Sequence, residues 1–435
     1  MPSRPKLQLP QGPVTRTILA AVIVASAMFS WSFGSFVLRD NGDTAAQRAV
    51  TWARNHRLGL VVDFAERAKY GKAPPKTAAG ELELSTPSVV STSTVAVTTT
   101  TLLRPTTTIA PTTTTVAAAI TVATTVPATT TVPPVTLPPT TTTIPAWQIA
   151  PANKTPFVEP ALGNEGVWHP LVSAGGHDVI WATAIRPLPE SPAVVGSFAV
   201  IDQTTTTAAM FNGSDIPGGK DWQLGNKVPK ELQPMLLGAF NGGFRFEHIK
   251  GGYKNEGRSV KELKDGQGTV AISKTGKITI GEFGRDIKDD GSWVSFRQNL
   301  PLLVDNGKSM VDSHSETWWG ADYGNVVFVL RSSICQLADG RLMYGAIGKV
   351  DAKTLAQSLV NMGCQRAMQM DINGTWPTFH TFPVAADGAQ HGNALDKRMG
   401  GSRDRYLTGS TREFFGFFET AALPPDSVLV RISAA

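Results

Sequence analysis

The alternation of apolar and polar positions divides this chain into segments of different texture. From Thr17 to Leu38 no side chain is charged, and at ~1.5 Å per residue the run matches the ~30 Å hydrocarbon core of a bilayer. It reads as a transmembrane helix or uncleaved signal anchor. A cleaved signal peptide is the rival, with an apolar core of usually ~7–15 residues. In the segment 39–84, TWARNHRLGLVVDFAERAKYG has the pattern of one amphipathic helix whose arginines meet lipid headgroups. From 85 to 146, threonine runs broken by Pro, Val and Ala offer almost no charge and no side chains able to build a core. That composition predicts a disordered stalk with extended, polyproline-like stretches.

From Trp147 to Ala435 the pattern becomes that of one large globular domain. Short β-type runs recur, among them HDVIWATAIR, VVGSFAVID, TTAAMF, QGTVAISKTGKITIGEF and WVSFRQNLPLLVD. Turn residues such as Asp305-Asn306-Gly307 separate them. The most organised stretch runs from Asn325 to Phe379. NVVFVLRSSIC and AMQMDINGTW are strand candidates carrying Arg331 and Asp371, with a shorter strand, LMYGAI, between them. Before the second, Asp351 is placed to cap a helix, Leu355, Leu359 and Met362 share one face, and Gly363 is placed to end it. The fold class expected is α+β (mixed α/β): strand-rich, with a large twisted mixed sheet and few helices. Packing that helix on the sheet brings Arg331 and Asp371 to one rim.

Charge narrows the function classes. The formal net charge is +5, yet residues 1–76 alone carry eleven Lys/Arg against four Asp/Glu, leaving the remainder at −2. The basic balance is therefore membrane-proximal, and a folded domain without a positive field is not a nucleic-acid reader. The basic, proline-broken residues 1–16 suit a cytoplasmic tail, while Arg39, Arg48, Arg54 and Arg57 on the other flank compete with them in the positive-inside rule. A Thr/Pro stalk followed by a large domain fits the cell exterior, so the expected location is the plasma membrane, single-pass, with the C-terminal domain outside. Asn153, Asn212 and Asn373 each open an N-glycosylation tripeptide.

Candidate chemistry lies in a few places. An apolar strand runs into Asn241-Gly242-Gly243-Phe244, where two glycines can turn the backbone closely and present amides to a ligand oxygen. With Gly251-Gly252-Tyr253 nearby in sequence, amides and aromatic faces of the kind a sugar pocket uses are at hand. A plain glycine turn is the simpler alternative. The stretch from Ala389 to Glu419 adds His391, Asn393, Lys397, Arg398, Arg403, Asp404 and Arg405, most of them surface charges by type, with one of the arginines or His391 the candidate to line a site. Cys335 and Cys364 flank the central unit, either bridged or as buried free thiols. There is no HExxH and no zinc-spaced Cys/His cluster, so no cofactor is expected, with a structural calcium on scattered carboxylates left open.

The order AFNGGF, GGY, RQNLPLLVDNG, an RSSI strand, a helix leading to MQMDIN, and REFFGFF resembles the phosphodiester glycosidase family over roughly Val179 to Glu419. The resemblance implies a mixed α/β domain that cleaves a sugar from a phosphodiester, releasing a reducing sugar and a phosphomonoester. Asn241 and Gly242 match the family's NGG turn, Arg331 the arginine of its RTAIG strand, and Asp371 with Gly374 and Thr375 its aspartate-glycine loop. Ile372 and Asn373 stand where the family usually has glycines, and a β-branched residue does not follow an all-glycine path. The departure is closer to bacterial members with an aspartate-isoleucine-asparagine version.

Two catalytic residues are expected from this. Arg331 would clamp phosphodiester oxygens in bidentate fashion. Asp371 would act as nucleophile or general base, or steady positive charge at the anomeric carbon. Substrate contacts fall to Asn241, Gly242, Gly243, Asn373, Gly374, Thr375 and His391; no general acid is identifiable. A salt bridge between adjacent strands is the structural alternative for the Arg331–Asp371 pair. The expected function is hydrolysis of sugar-1-phosphate linkages in envelope glycans or exopolysaccharide. The alternatives are a non-catalytic glycan-binding or cell-wall-organising domain, and a protein-binding adhesin.

Overall fold

The computed structural model describes residues 13–38, 45–70, isolated positions from 73 to 84, 149–315, 318–323, 327–372, 374–383 and 390–434. The predicted stalk and Asn373 lie outside them. One helix among the described residues is long and apolar enough to cross a membrane: α1, Pro13–Val37, whose uncharged window is Thr17–Val37. The next segment forms two helices rather than one, α2 (Ala45–Asn55) and α3 (Gly59–Tyr70). Arg57 adopts a left-handed φ of 64°, and Leu58 N donates to Ala53 O. Such a cap ends a helix even though the apolar periodicity runs on.

Three sheets carry the domain. An eight-stranded sheet has the order His169–Ala174, His177–Ile185, Gly196–Ile201, Leu342–Val350, Val329–Leu337, Cys364–Ile372, Val304–Asp305, Lys308–Ser309. A five-stranded sheet runs Arg258–Lys261, Tyr253–Asn255, Trp293–Gln298, Gly268–Ser273, Ile278–Glu282, and another runs Asn393–Ala394, Phe379–Thr381, Leu236–Asn241, Phe414–Glu419, Thr206–Phe211. The α+β class is as expected, but the pairs between these strands are antiparallel, not mixed. The reason lies in the one long helical crossover. The helix α4 (Ala352–Asn361) carries the chain from Leu342–Val350 over Val329–Leu337 to Cys364–Ile372, so the two parallel strands flank an antiparallel one and never pair.

That helix is punctuated as its sequence predicts. The Asp351 carboxylate accepts from Thr354 N at 2.7 Å, and Gly363 takes φ 97° after the last turn. Leu355 and Leu359 are buried against Val304, Val350 and Ala367 in one core cluster. Cys335 and Cys364 are joined by a disulfide with Cα atoms 5.8 Å apart. It ties the central strand of this unit to the start of the strand that ends at Asp371.

Candidate active site

Asp371 closes the strand Cys364–Ile372 where the large sheet meets the sheet built on Leu236–Asn241 and Phe414–Glu419. Asp371 N donates to Gly242 O across that junction, and Gly242 N donates to Glu413 O. The Asp371 carboxylate is 3.2 Å from the Arg412 guanidinium. Burial pushes its pKa up to about 6, with Arg412 drawing it down and Glu413 pushing it up. A carboxyl poised near neutrality in a cleft is what acid–base or nucleophilic work needs.

The glycines of the Asn241-Gly242-Gly243 turn serve a neighbour. Glu413, with no exposed side-chain surface, accepts from Gly243 N at 3.0 Å and from Arg297 Nε at 2.7 Å through Oε1. A Cβ on Gly242 would lie 2.4 Å from that same oxygen, and one on Gly243 would lie 3.1 Å from the Arg297 guanidinium. The turn is glycine because a sealed ion pair packs on it, and the Gly242 and Gly243 amides expected to meet a ligand are engaged by Glu413. Asn241 is likewise committed. Its amide donates to Gly242 O and Ser332 Oγ and accepts from Tyr344 Oη and Thr378 N, which fills every position that an amide side chain has. It holds the framework, and a sugar contact from it would require one of these bonds to break. A Cβ on Gly252 would lie 2.2 Å from Glu262 O, and Tyr253 is fully buried with its hydroxyl on Asn212. Asn212, the glycosylation candidate, is itself buried.

Arg331 pairs in register with Ile372, one residue from Asp371, but its guanidinium is turned to carbonyls. It donates to Val350 O, Trp319 O, Val327 O and Gln369 Oε1 at 2.8–3.1 Å. The cation that meets Asp371 is Arg412, which also donates to Gly243 O at 2.7 Å. Sequence reasoning missed Arg412, Glu413 and Arg297. The signal was a Arg-Glu pair opening the apolar run REFFGFF, and an arginine inside RQNLP.

A cavity reaches Asp371, lined also by Phe244, Arg245, His248, Ile372, Trp376 and Arg412. Arg245 pairs with Asp215 at 3.2 Å and with Glu247. Burial pushes the His248 imidazole down to about 4, and the cations around it act in the same direction, so it is neutral at pH 7. Arg405 and Arg412 sit over the Trp376 ring at 5.0 and 5.3 Å. Of the predicted contacts, Gly374 and Thr375 lie in the loop after Asp371, and His391 is an exposed residue paired with Asp404 at 3.2 Å, away from the cavity lining. Among the described residues no group of three or more His, Cys, Asp or Glu could hold a metal ion.

The remaining wall belongs to α2. Val50, Thr51 and Arg54 line the cavity, and Gln47 Nε2 donates to Thr375 O at 2.5 Å. These four recur at helical spacing on one face. With α2 in place about 30 Å³ is left, room for a water or two. Clefts that take small-molecule ligands are usually roughly 300 Å³ or more, so a ligand of that size would enter here only if α2 moved.

The sequence profile of the phosphodiester glycosidase family matches residues 236–371. Among solved structures, the catalytic domain of zebrafish N-acetylglucosamine-1-phosphodiester alpha-N-acetylglucosaminidase, auto-inhibited by its pro-peptide, aligns with 14% identity over 57% of this chain and 85% of that one, with a TM-score of 0.39. A protein from Synechocystis aligns with 10% identity over 55% of this chain and 62% of its own, with a TM-score of 0.37. No curated protein matches the chain. Residues 236–371, which run from the first site strand to Asp371, are thus the part of the chain that is similar to the phosphodiester glycosidase family.

Proposed function

We propose that the chain is a membrane-anchored glycosidase that hydrolyses sugar phosphodiesters of cell-envelope glycans or exopolysaccharide outside the cell, anchored by α1. The observation that carries this is the buried Asp371 carboxyl, raised to about 6 beside Arg412, at the end of the family-matched stretch. Arg412, with Arg245 on the same wall, supplies the positive charge for the phosphate oxygens. Asp371, mostly ionised at pH 7, takes the anomeric carbon as nucleophile, or a water as general base. A phosphate leaving group needs little protonation. Glu413 and Arg297 keep the Gly242–Gly243 turn, and through it the Asp371 backbone, in place.

The test is release of phosphomonoester and reducing sugar from a panel of sugar-1-phosphodiesters, by the parent chain and by Asp371→Asn and Arg412→Ala. Release by the parent alone is the expected result. Binding without release by all three, with each folded, would replace catalysis by the glycan-binding reading, which Ile372 favours: it borders the cavity at a position where the family usually has glycine.

A further inference from the structure

The wall that α2 closes is the wall turned toward the membrane helix. One face of α2 lines the cavity, and the other packs on α1. Trp52 meets Phe29 and Phe33 edge-on at centroid distances of 4.7 and 5.0 Å, its indole N–H donates to Ser32 Oγ, and Arg48 donates to Val37 O at the end of α1. Phe33 and Phe29 stand four and eight residues before Val37, so this contact lies about 6–12 Å inside the end of the spanning helix. Among the described residues α2 thus touches both α1 and the cavity that holds Asp371, so movement of α2 would open the cavity on the side of α1.

α3 adds an independent observation. It exposes Leu60, Val61 and Phe64 at 85%, 63% and 74%. Large apolar side chains this exposed on a helix that follows a candidate membrane span within about twenty residues are placed to lie in the interface between headgroups and acyl chains. Arg54, Arg245 and Arg412 line the same cavity, so it carries positive charge of the kind a lipid phosphate would meet.

We infer that the substrate is a lipid-linked sugar phosphodiester taken from the membrane surface: a sugar-1-phosphate whose second ester is a lipid alcohol. This rests on the reading of the cavity as a phosphodiester glycosidase site. In the reaction, water adds across the bond between the anomeric carbon and the phosphate oxygen. The sugar leaves with the hydroxyl, and the lipid phosphate keeps the bridging oxygen and gains the proton as a phosphomonoester. A soluble sugar phosphodiester shares the reacting atoms but gains nothing from the bilayer.

The experiment uses the full chain reconstituted in phosphatidylcholine vesicles. Phosphomonoester release is compared between a glucosyl phosphodiester of a long-chain polyisoprenol in the same vesicles and methyl glucosyl phosphate in solution. The expected result is at least tenfold higher kcat/KM on the lipid diester. Leu60→Ser/Val61→Ser/Phe64→Ser should cut that rate at least fivefold and leave hydrolysis of the methyl diester within twofold of the parent. Equal or faster hydrolysis of the methyl diester, or a triple variant that slows both substrates alike or neither, overturns the inference alone. Hydrolysis of neither diester overturns the glycosidase reading, and this inference falls with it.

Discussion

Arg331 and Arg412 are both buried arginines within reach of the same strand end, and they do different things. Arg331 is fully buried and spends its donors on three main-chain carbonyls and the Gln369 amide, which knits Val329–Leu337 to its neighbours and to the Trp319 turn. Arg412 keeps 6% of its surface, shares its charge with the Asp371 carboxylate and, more distantly, that of Glu413, and faces a cavity. Among the described residues its Nε has no hydrogen-bond partner, and it stands 4.0 Å from a Glu413 oxygen that also has none. Burial does not distinguish a structural arginine from a functional one; the chemistry of the acceptors does. A guanidinium saturated by neutral carbonyls holds a fold together, whereas one facing a carboxylate and open space can receive an anion.

The largest expected effect is at the carboxylate that the two arginines flank. Asp371→Asn should lower kcat by about 10³-fold, the scale of a lost nucleophile or base, with the protein still folded by near-ultraviolet circular dichroism. Retained turnover would remove Asp371 from the chemistry.

The arginines themselves should then split by readout. Arg331→Ala leaves buried carbonyls without a donor and should cost about 3–5 kcal/mol in urea denaturation. Arg412→Ala should cost far less stability but about 10²-fold in kcat/KM. If the two variants lose stability and activity in the same proportion, the contrast between them fails.

Close behind comes the bridge that pins the Arg331 strand. Cys335→Ser/Cys364→Ser opens a closure of 29 residues and should lower stability by about 3 kcal/mol without changing the pH profile of the remaining folded protein.

The smallest effects are in pH dependence. If Asp371 acts ionised, the rate should rise with pH through an inflection near 6 and level off above it. Arg412 draws that pKa down, so Arg412→Gln should move the inflection upward, while a folded Arg331 variant should leave it in place. Stability follows the opposite sense. The folded state holds the Asp371 proton more tightly than the unfolded chain, so the stability this group contributes is present below about pH 4 and is lost as pH rises to about 6. Asp371→Asn should therefore be more stable than the parent at pH 7 by about 1–2 kcal/mol, with the gain disappearing toward pH 4.

Much of this was written locally in the chain. The uncharged run of α1, the capped helix between Asp351 and Gly363, and Asp371 near the end of a strand follow from periodicity and local signals, which act over a few residues. The motif order carried the family as well. Left to the tertiary structure were the break at Arg57, the antiparallel sheets, the arginine that meets Asp371, and the seat of α2. Each depends on partners far away in sequence: Gln47 meets the carbonyl of a residue 328 positions on, and Gly243 is glycine because Glu413, 170 positions later, packs against it. A strand pattern says which side of a sheet a side chain faces. Whether a carbonyl or a carboxylate waits there is decided by which distant strand ends the fold brings to that side, and short-range preference contains no term for that.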